Sequence, residues 1–363
     1  MSDFFEIDFL DIESSKSGDA IPLRYKMNEA TTIHIVDGGF QDTGESVIEH
    51  VKKYYDNASY IDRVVASHPD GDHLGGLRTV LEELDVGELW MLRPWLYADE
   101  IIDRFTRFSS VENLKKRLKE IYPNIAALEE IAEKKDIPIY EPFQGAAIGA
   151  FTVMAPTRAR YLDLIVESEK TPESVEEAQE PAAAGLGTLL ERAAAKVVAF
   201  VKAAWGVEVF SPEETSAENE MSVVQYANLC GKHILLTADA GRGALAEAAD
   251  YAPYVGLALP GIDRFQVPHH GSRRNVSSEI LDRWLGEKLA SKPREGETKF
   301  SAIVSAAKAD KDHPRKAVVR ACIHRGAKVV STEGSSLRTA YNAPSRDGWS
   351  AAELLPYSEE QED

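Results

Sequence analysis

Residues 67–76 read Ser67-His68-Pro69-Asp70-Gly71-Asp72-His73-Leu74-Gly75-Gly76, which sets four potential metal ligands within six positions. The stretch follows directly on a β-branched run, Ile61–Ser67, that reads as a short strand. Pro69 and Gly71 keep it from becoming a regular helix. Neighbouring side chains in such a loop point to different sides. Asp72 and His73 can therefore serve one metal ion while His68 and Asp70 serve a second. Gly75 and Gly76 allow close backbone packing where the next helix begins. A capped turn with surface histidines would account for a single His-Pro-Asp, but not for all four groups together.

Two later clusters fit the same site. Leu235-Leu236-Thr237-Ala238-Asp239-Ala240-Gly241 places an aspartate at the end of an apolar strand, where one carboxylate can bridge two cations. Val267-Pro268-His269-His270-Gly271-Ser272 places paired histidines after another strand. Adjacent histidines do not easily face one ion, so the expectation is one ligand, His270, with His269 acting on substrate. Asp37, at the end of the strand Thr31–Val36, reads as a group that orients the ligand loop from behind. His34, His50, His233 and His324 join no cluster and read as structural or surface residues.

Around these clusters, short strands alternate with amphipathic helices, the pattern of a layered α/β protein. Strands are expected at Phe4–Asp11, Met221–Asn228, His233–Thr237, Arg264–Val267, Ala302–Ser305 and Ala327–Ser331. Helices are expected at Glu45–Tyr55, Arg242–Asp250, Ser277–Ala290 and Lys316–Arg325. Ala98–Lys135 reads as mostly helical. Glu167–Pro181 reads as an acidic loop, and Ala182–Trp205 as an Ala-rich helix. The expected organisation is one domain over 1–355, with helical insertions at about 98–135 and 161–217, and a disordered acidic tail at 356–363.

Composition bounds the function. The 363 residues carry 41 Lys+Arg against 60 Asp+Glu, a formal net charge of −19, which argues against a protein that coats nucleic acid with basic side chains. Apolar residues at 44 % and charged residues at 28 % are the mix of a globular chain rather than a disordered one. Two cysteines, Cys230 and Cys322, cannot build a disulfide framework and fit a reducing compartment. The first residues carry acids where a signal peptide needs bases, and no apolar run reaches the ~20 residues of a membrane span. A cytoplasmic location is expected.

The order His-x-Asp-x-Asp-His, then Asp, then His-His-Gly-Ser resembles the metallo-β-lactamase superfamily. More narrowly it is similar to the hydrolase domain of the ComEC/Rec2 DNA-uptake proteins and their soluble relatives. The matching residues are Phe9-Leu10-Asp11-Ile12, Gly18-Asp19-Ala20, Val36-Asp37-Gly38-Gly39, Asn219-Glu220-Met221-Ser222 and His313-Pro314, in order from about residue 7 to residue 332. The resemblance implies an αββα sandwich, two packed mixed β-sheets flanked by helices. It departs from the family at Glu13–Gly18, where a Gly-Gln-Gly is usual. The superfamily's metal-binding histidine between the first cluster and the bridging aspartate is also absent. Asn219 and Ser222 stand there as supporting groups, and one metal is left with fewer protein ligands.

The donors His68, Asp70, Asp72, His73, Asp239 and His270 suit two divalent metal ions, Zn²⁺ first and Mn²⁺ second. Two ions about 3.5–4 Å apart would activate a metal-bound hydroxide at neutral pH. Asp72, His269 and His313 are the expected catalytic groups, and Ser272 and Lys308 the expected substrate contacts. Lys308, Lys311 and Arg315 form a positive stretch beside His313. The expected activity is that of a metal-dependent phosphodiesterase or nuclease acting on nucleic acid or a nucleotide-like diester. The alternatives are a thioester or lactam hydrolase of the same superfamily and a non-catalytic regulatory partner in a larger complex.

Overall fold

The computed structural model describes residues 2–12, 14–106, 108–168, 170, 200–294 and 296–362. The first sheet is built from β1 (Phe4–Phe9), β2 (Ala20–Met27), β3 (Ala30–Gly38), β4 (Tyr60–Val65), β5 (Asp85–Trp90) and β6 (Ile139–Tyr140). The second takes β7 (Ala147–Ile148), β8 (Phe151–Ala155), β10 (Val224–Leu229), β11 (Lys232–Leu236), β12 (Arg264–Gln266), β13 (Phe300–Val304) and β14 (Ala327–Ser331), and β15 (Leu337–Tyr341) returns to the first. The strand orders are β15-β1-β2-β3-β4-β5-β6 and β14-β13-β12-β11-β10-β8-β7. Both sheets are mixed: β1 to β3 pair antiparallel and β3 to β6 parallel, while β10 and β11 pair antiparallel and β11 to β14 parallel. This is the expected αββα arrangement, two packed mixed sheets flanked by helices.

Alternation along β10 shows how the layers divide. Val223, Ala227 and Leu229 join the core that reaches into the first sheet, whereas Val224 and Tyr226 join a second core beneath the helices of the second sheet. The Ser278–Leu285 helix shows how those helices are made. Ser277 caps it by accepting the Ile280 N–H, Ile280, Leu281, Trp284 and Leu285 form its buried face, and Gly286 stops it before the expected end at Ala290. Among the described residues no helix is long and apolar enough to cross a membrane.

Acidic alternation in Phe4–Asp11 does not mark a solvated face. Glu6 and Asp8 are buried, with Arg24, Arg338 and Arg346 on Glu6 and with Arg346, His50 and Tyr55 around Asp8. Burial of these charges is tolerated because each is paired and hydrogen-bonded.

The tail differs from the disorder expected at 356–363. Glu360–Glu362 forms β16, antiparallel to β9 (Phe200–Lys202). The Glu362 carboxylate accepts the Lys316 and Ala317 N–H groups, at 2.8 and 2.9 Å, where the Lys316–His324 helix begins. An acid belongs there because a helix start carries unpaired N–H groups and partial positive charge. Strand β9 also replaces part of the helix expected over Ala182–Trp205. Residues 171–199 of that helix and of the acidic loop lie outside the described residues.

His34, on β3, is fully buried and edge-on to Phe151, and neither ring nitrogen has a hydrogen-bond partner. Burial, and then the charge of Arg63, push its pKa down to about 3. The unfolded chain therefore binds a proton that the folded chain refuses between about pH 6.5 and 3, and stability falls as pH falls through that window, by about 1.4 kcal/mol per unit. In urea titrations at pH 7, 6 and 5, His34→Leu should lose less stability on acidification than the wild type. Parallel pH profiles would show that His34 is not the group responsible.

Candidate metal centre

The three clusters meet where strand ends of both sheets converge. The His68–His73 loop follows β4 and belongs to the first sheet. Asp239 follows β11 and the histidine pair follows β12, both in the second. The first loop sits tightly because its glycines admit backbone: a Cβ on Gly76 would lie 2.1 Å from the Gly38 carbonyl oxygen. Asp37, Ala238, His269 and His270 all have positive φ, at 57°, 46°, 47° and 54°. Such backbone is uncommon outside glycine and costs on the order of 1–3 kcal/mol per residue, which the surroundings must offset.

Each histidine is oriented through Nδ1. His73 donates to Asp37 Oδ2 at 2.8 Å, and His270 donates to the Ser305 carbonyl at 2.9 Å. The Ser67 hydroxyl gives its proton to Asp37, so its oxygen accepts from His68 Nδ1 at 3.0 Å. Asn275 donates through Nδ2 to the Asp239 and Ala240 carbonyls, which leaves its oxygen to accept from His269 Nδ1 at 2.9 Å. Asn219 Nδ2 also lies 2.7 Å from that nitrogen, and a half-turn of the amide would bring its oxygen there as a second acceptor for the proton. A neutral imidazole protonated at Nδ1 carries a bare lone pair at Nε2.

All four Nε2 atoms face Asp239. His73 and His270 lie 3.2 and 3.7 Å from its Oδ1, and His68 and His269 each lie 3.6 Å from its Oδ2. Asp72 Oδ2 is 3.7 Å from His270 Nε2 and completes the first group. Asp70 Oδ2 is 3.9 Å from His68 Nε2, but its other oxygen is held by Lys170 Nζ at 2.8 Å. The Nε2 atoms of His68, His73 and His270, and Asp239 Oδ1, are buried without any hydrogen-bond partner. Ring nitrogens converging on a carboxylate at these spacings call for protons on the rings or a cation between them. Ligands about 2.0–2.1 Å from a tetrahedral ion lie roughly 3.4 Å from one another. The donor set therefore fits two divalent ions, one on each oxygen of Asp239.

Without an ion, the same acids draw protons onto some of these rings. Burial alone would raise the Asp239 pKa, but His269, His73 and His270 hold it well below the carboxylate range. Burial disfavours charge on His73, yet Asp239 and Asp37 hold its pKa well above the usual value, and His270 rises to about 9 against the same penalty. For His68 burial wins and its pKa falls.

Both members of the histidine pair reach the centre, each on a different carboxylate oxygen. His313 stacks on His269 with centroids 5.7 Å apart, and its Nδ1 lies 3.3 Å from Asp310 Oδ2. Burial, then His270 and His269, push its pKa down to about 4. Asp37 contacts His73 and Ser67 rather than standing at the mouth. Ser222 is buried beside Asn219, its hydroxyl unpartnered. The Ser272 hydroxyl accepts the Arg274 N–H at 3.3 Å, and exposed Lys308 lies beside Gly334. Sequence reading missed Ser67, Asn275 and Ser305, whose roles depend on which ring they meet, and Lys170, which lies a hundred positions from Asp70.

No family model matches the chain, and no curated protein sequence matches it. Three solved structures are similar in arrangement. A hydrolase of the beta-lactamase superfamily, AbOPH, shares 10% identity over 68% of this chain and 74% of its own, with a TM-score of 0.32. A variant of the CmlA beta-hydroxylase shares 10% identity over 94% of this chain and 54% of its own, at 0.39. A metallo beta lactamase from Hirschia baltica shares 16% identity over 28% of this chain and 43% of its own, at 0.18. This chain thus spans about half the length of the hydroxylase and less of the lactamase.

The geometry predicts how metal content divides. Asp239→Ala should remove both ions, whereas His270→Ala should remove one and leave the ion on His68 and His269. Elemental analysis after metal loading and desalting reads this directly. Equal, complete loss in His270→Ala would contradict two separable ions.

Proposed function

We propose that the chain is a metal-dependent hydrolase of phosphodiesters, nucleic acid or nucleotide-like, working in the cytoplasm with Zn²⁺ or Mn²⁺. The observation that carries this reading is the placement of four Nε2 lone pairs around the two oxygens of one buried carboxylate. His73, His270, Asp72 and Asp239 would hold one ion, and His68, His269 and Asp239 the other, with Asp70 available when Lys170 releases it. Bound divalent ions neutralise charge on a phosphoryl oxygen and bring the ionisation of water toward neutral pH.

The remaining work falls to this chain's own groups. Burial would raise the Asp72 pKa, but His270 and His73 hold it below the ordinary carboxylate range, so its carboxylate stays ionised at neutral pH and can hold an ion and orient a water by accepting its hydrogen bond. His313 is neutral at pH 7 and anchored through Nδ1 on Asp310, which leaves Nε2 to accept a hydrogen bond from a water beside the substrate. Lys170 holds an ammonium group beside Asp70 at the rim, where a phosphate oxygen would sit. The preference for a phosphodiester over a thioester or lactam rests on this cation. A net charge of −19 disfavours long polyanions and favours a small diester, or nucleic acid presented by a partner.

Purified chain with added Zn²⁺ or Mn²⁺ should hydrolyse bis-p-nitrophenyl phosphate, and excess chelator should abolish turnover. Asp72→Ala and His73→Ala should each lower kcat by about 100-fold or more. Turnover of a chromogenic lactam without diester turnover would overturn the substrate class.

A further inference from the structure

Ser17, Gly18 and Asp19 lie just before β2, in the first sheet, yet their contacts span both halves of the metal centre. Toward the first half, the Asp19 N–H donates to the Asp72 carbonyl at 3.1 Å, and the Asp19 carbonyl accepts the Gly39 N–H at 2.7 Å. Gly18 fits so closely that a Cβ would lie 2.5 Å from the Asp72 carbonyl oxygen. Toward the second half, Asp19 Oδ2 accepts from Gln266 Nε2 at 2.9 Å. The same Gln266 accepts, through Oε1, the Thr237 and Ala238 N–H groups at 2.8 and 3.1 Å, immediately before Asp239. Ser17 donates through both N and Oγ to Asp310 Oδ2, at 3.1 and 2.8 Å, and Asp310 stands behind His313. Ser17 and Asp19 are both buried.

We propose that Ser17–Asp19 is a positioning segment that sets the distance between the two halves of the metal centre, with the Asp19–Gln266 hydrogen bond as its decisive contact. This rests on the two-ion reading above. The chemistry of the pair makes it directional. The Thr237 and Ala238 N–H groups hold the oxygen of Gln266, so only its nitrogen faces Asp19, and only an acceptor is tolerated there. Because Asp19 is also bonded to the Asp72 backbone, a shift of this one contact moves Asp72 and His73 relative to Asp239. The separation of donors then changes for both ions, although neither Asp19 nor Gln266 touches one.

The test uses the full-length chain and Co²⁺ or Zn²⁺, titrated in competition with a chromophoric chelator. The Co²⁺ visible spectrum reports coordination, and far-UV circular dichroism and thermal melting of the metal-free protein report folding. Gln266→Glu sets carboxylate against carboxylate. It should weaken at least one ion 10- to 100-fold and alter the Co²⁺ spectrum while the metal-free chain still melts cooperatively. Asp19→Asn keeps an acceptor and should bind within a few-fold of the wild type. The double variant, Asp19→Asn with Gln266→Glu, restores the bond with reversed polarity and should recover most of the lost affinity.

A folded Gln266→Glu chain that binds both ions as the wild type does would overturn the proposal, as would a double variant no better than Gln266→Glu alone. If Gln266→Glu does not fold, Gly18→Ala is read in the same assays, because it presses on the Asp72 carbonyl without adding charge. Wild-type affinities and spectrum there overturn the proposal equally. Wild-type protein that takes up no cation overturns the two-ion reading and this one together, which separates the two failures.

Discussion

One buried carboxylate organises this molecule. Asp239 is almost wholly removed from water, and its oxygens face four ring nitrogens. Such an anion is costly to bury unless positive charge stands beside it. Everything around it serves that requirement. Asp37 and Ser67 turn two rings from one side, Ser305 and Asn275 turn two from the other, and left-handed backbone at Ala238, His269 and His270 aims the groups inward. The left-handed backbone at the strand ends is offset by hydrogen bonds made only in this arrangement.

The parts of the site legible in the sequence were the local ones. His68, Asp70, Asp72 and His73 share one loop, so their spacing alone carried the chemistry, and Asp239 stood out because an acid ended an apolar strand. The supporting groups were not legible in the same way. Asn275 and Ser305 act through rings 6 and 35 positions away, on separations that only the packed strands bring together. For the paired histidines, adjacency in sequence does not reveal that each ring meets a different oxygen of Asp239.

The fold shows the same division. Helices with a clear apolar stripe, such as Lys316–His324, were found near their true bounds. Strands β2, β5 and β15 were missed, because Arg24, Lys26, Glu88 and Arg338 break the apolar pattern while pairing across the sheet or burying their stems. The acidic ending looked solvated because composition does not reveal that Glu362 meets the start of a helix 45 positions earlier. Acidic charge in this chain has three separate uses: holding the centre, pairing with buried arginines along β1, and finishing a helix.

The ligands of the first ion do not come from one layer. Asp72 and His73 hang from the first sheet, and Asp239 and His270 from the second. A cation shared by these four is a cross-link between the sheets, made of coordinate bonds instead of covalent ones. Its contribution to cohesion scales with the logarithm of the free ion concentration. With such an ion bound, the cohesion of the sandwich would be tied to the mineral supply of its surroundings, at the end where groups from the two sheets meet.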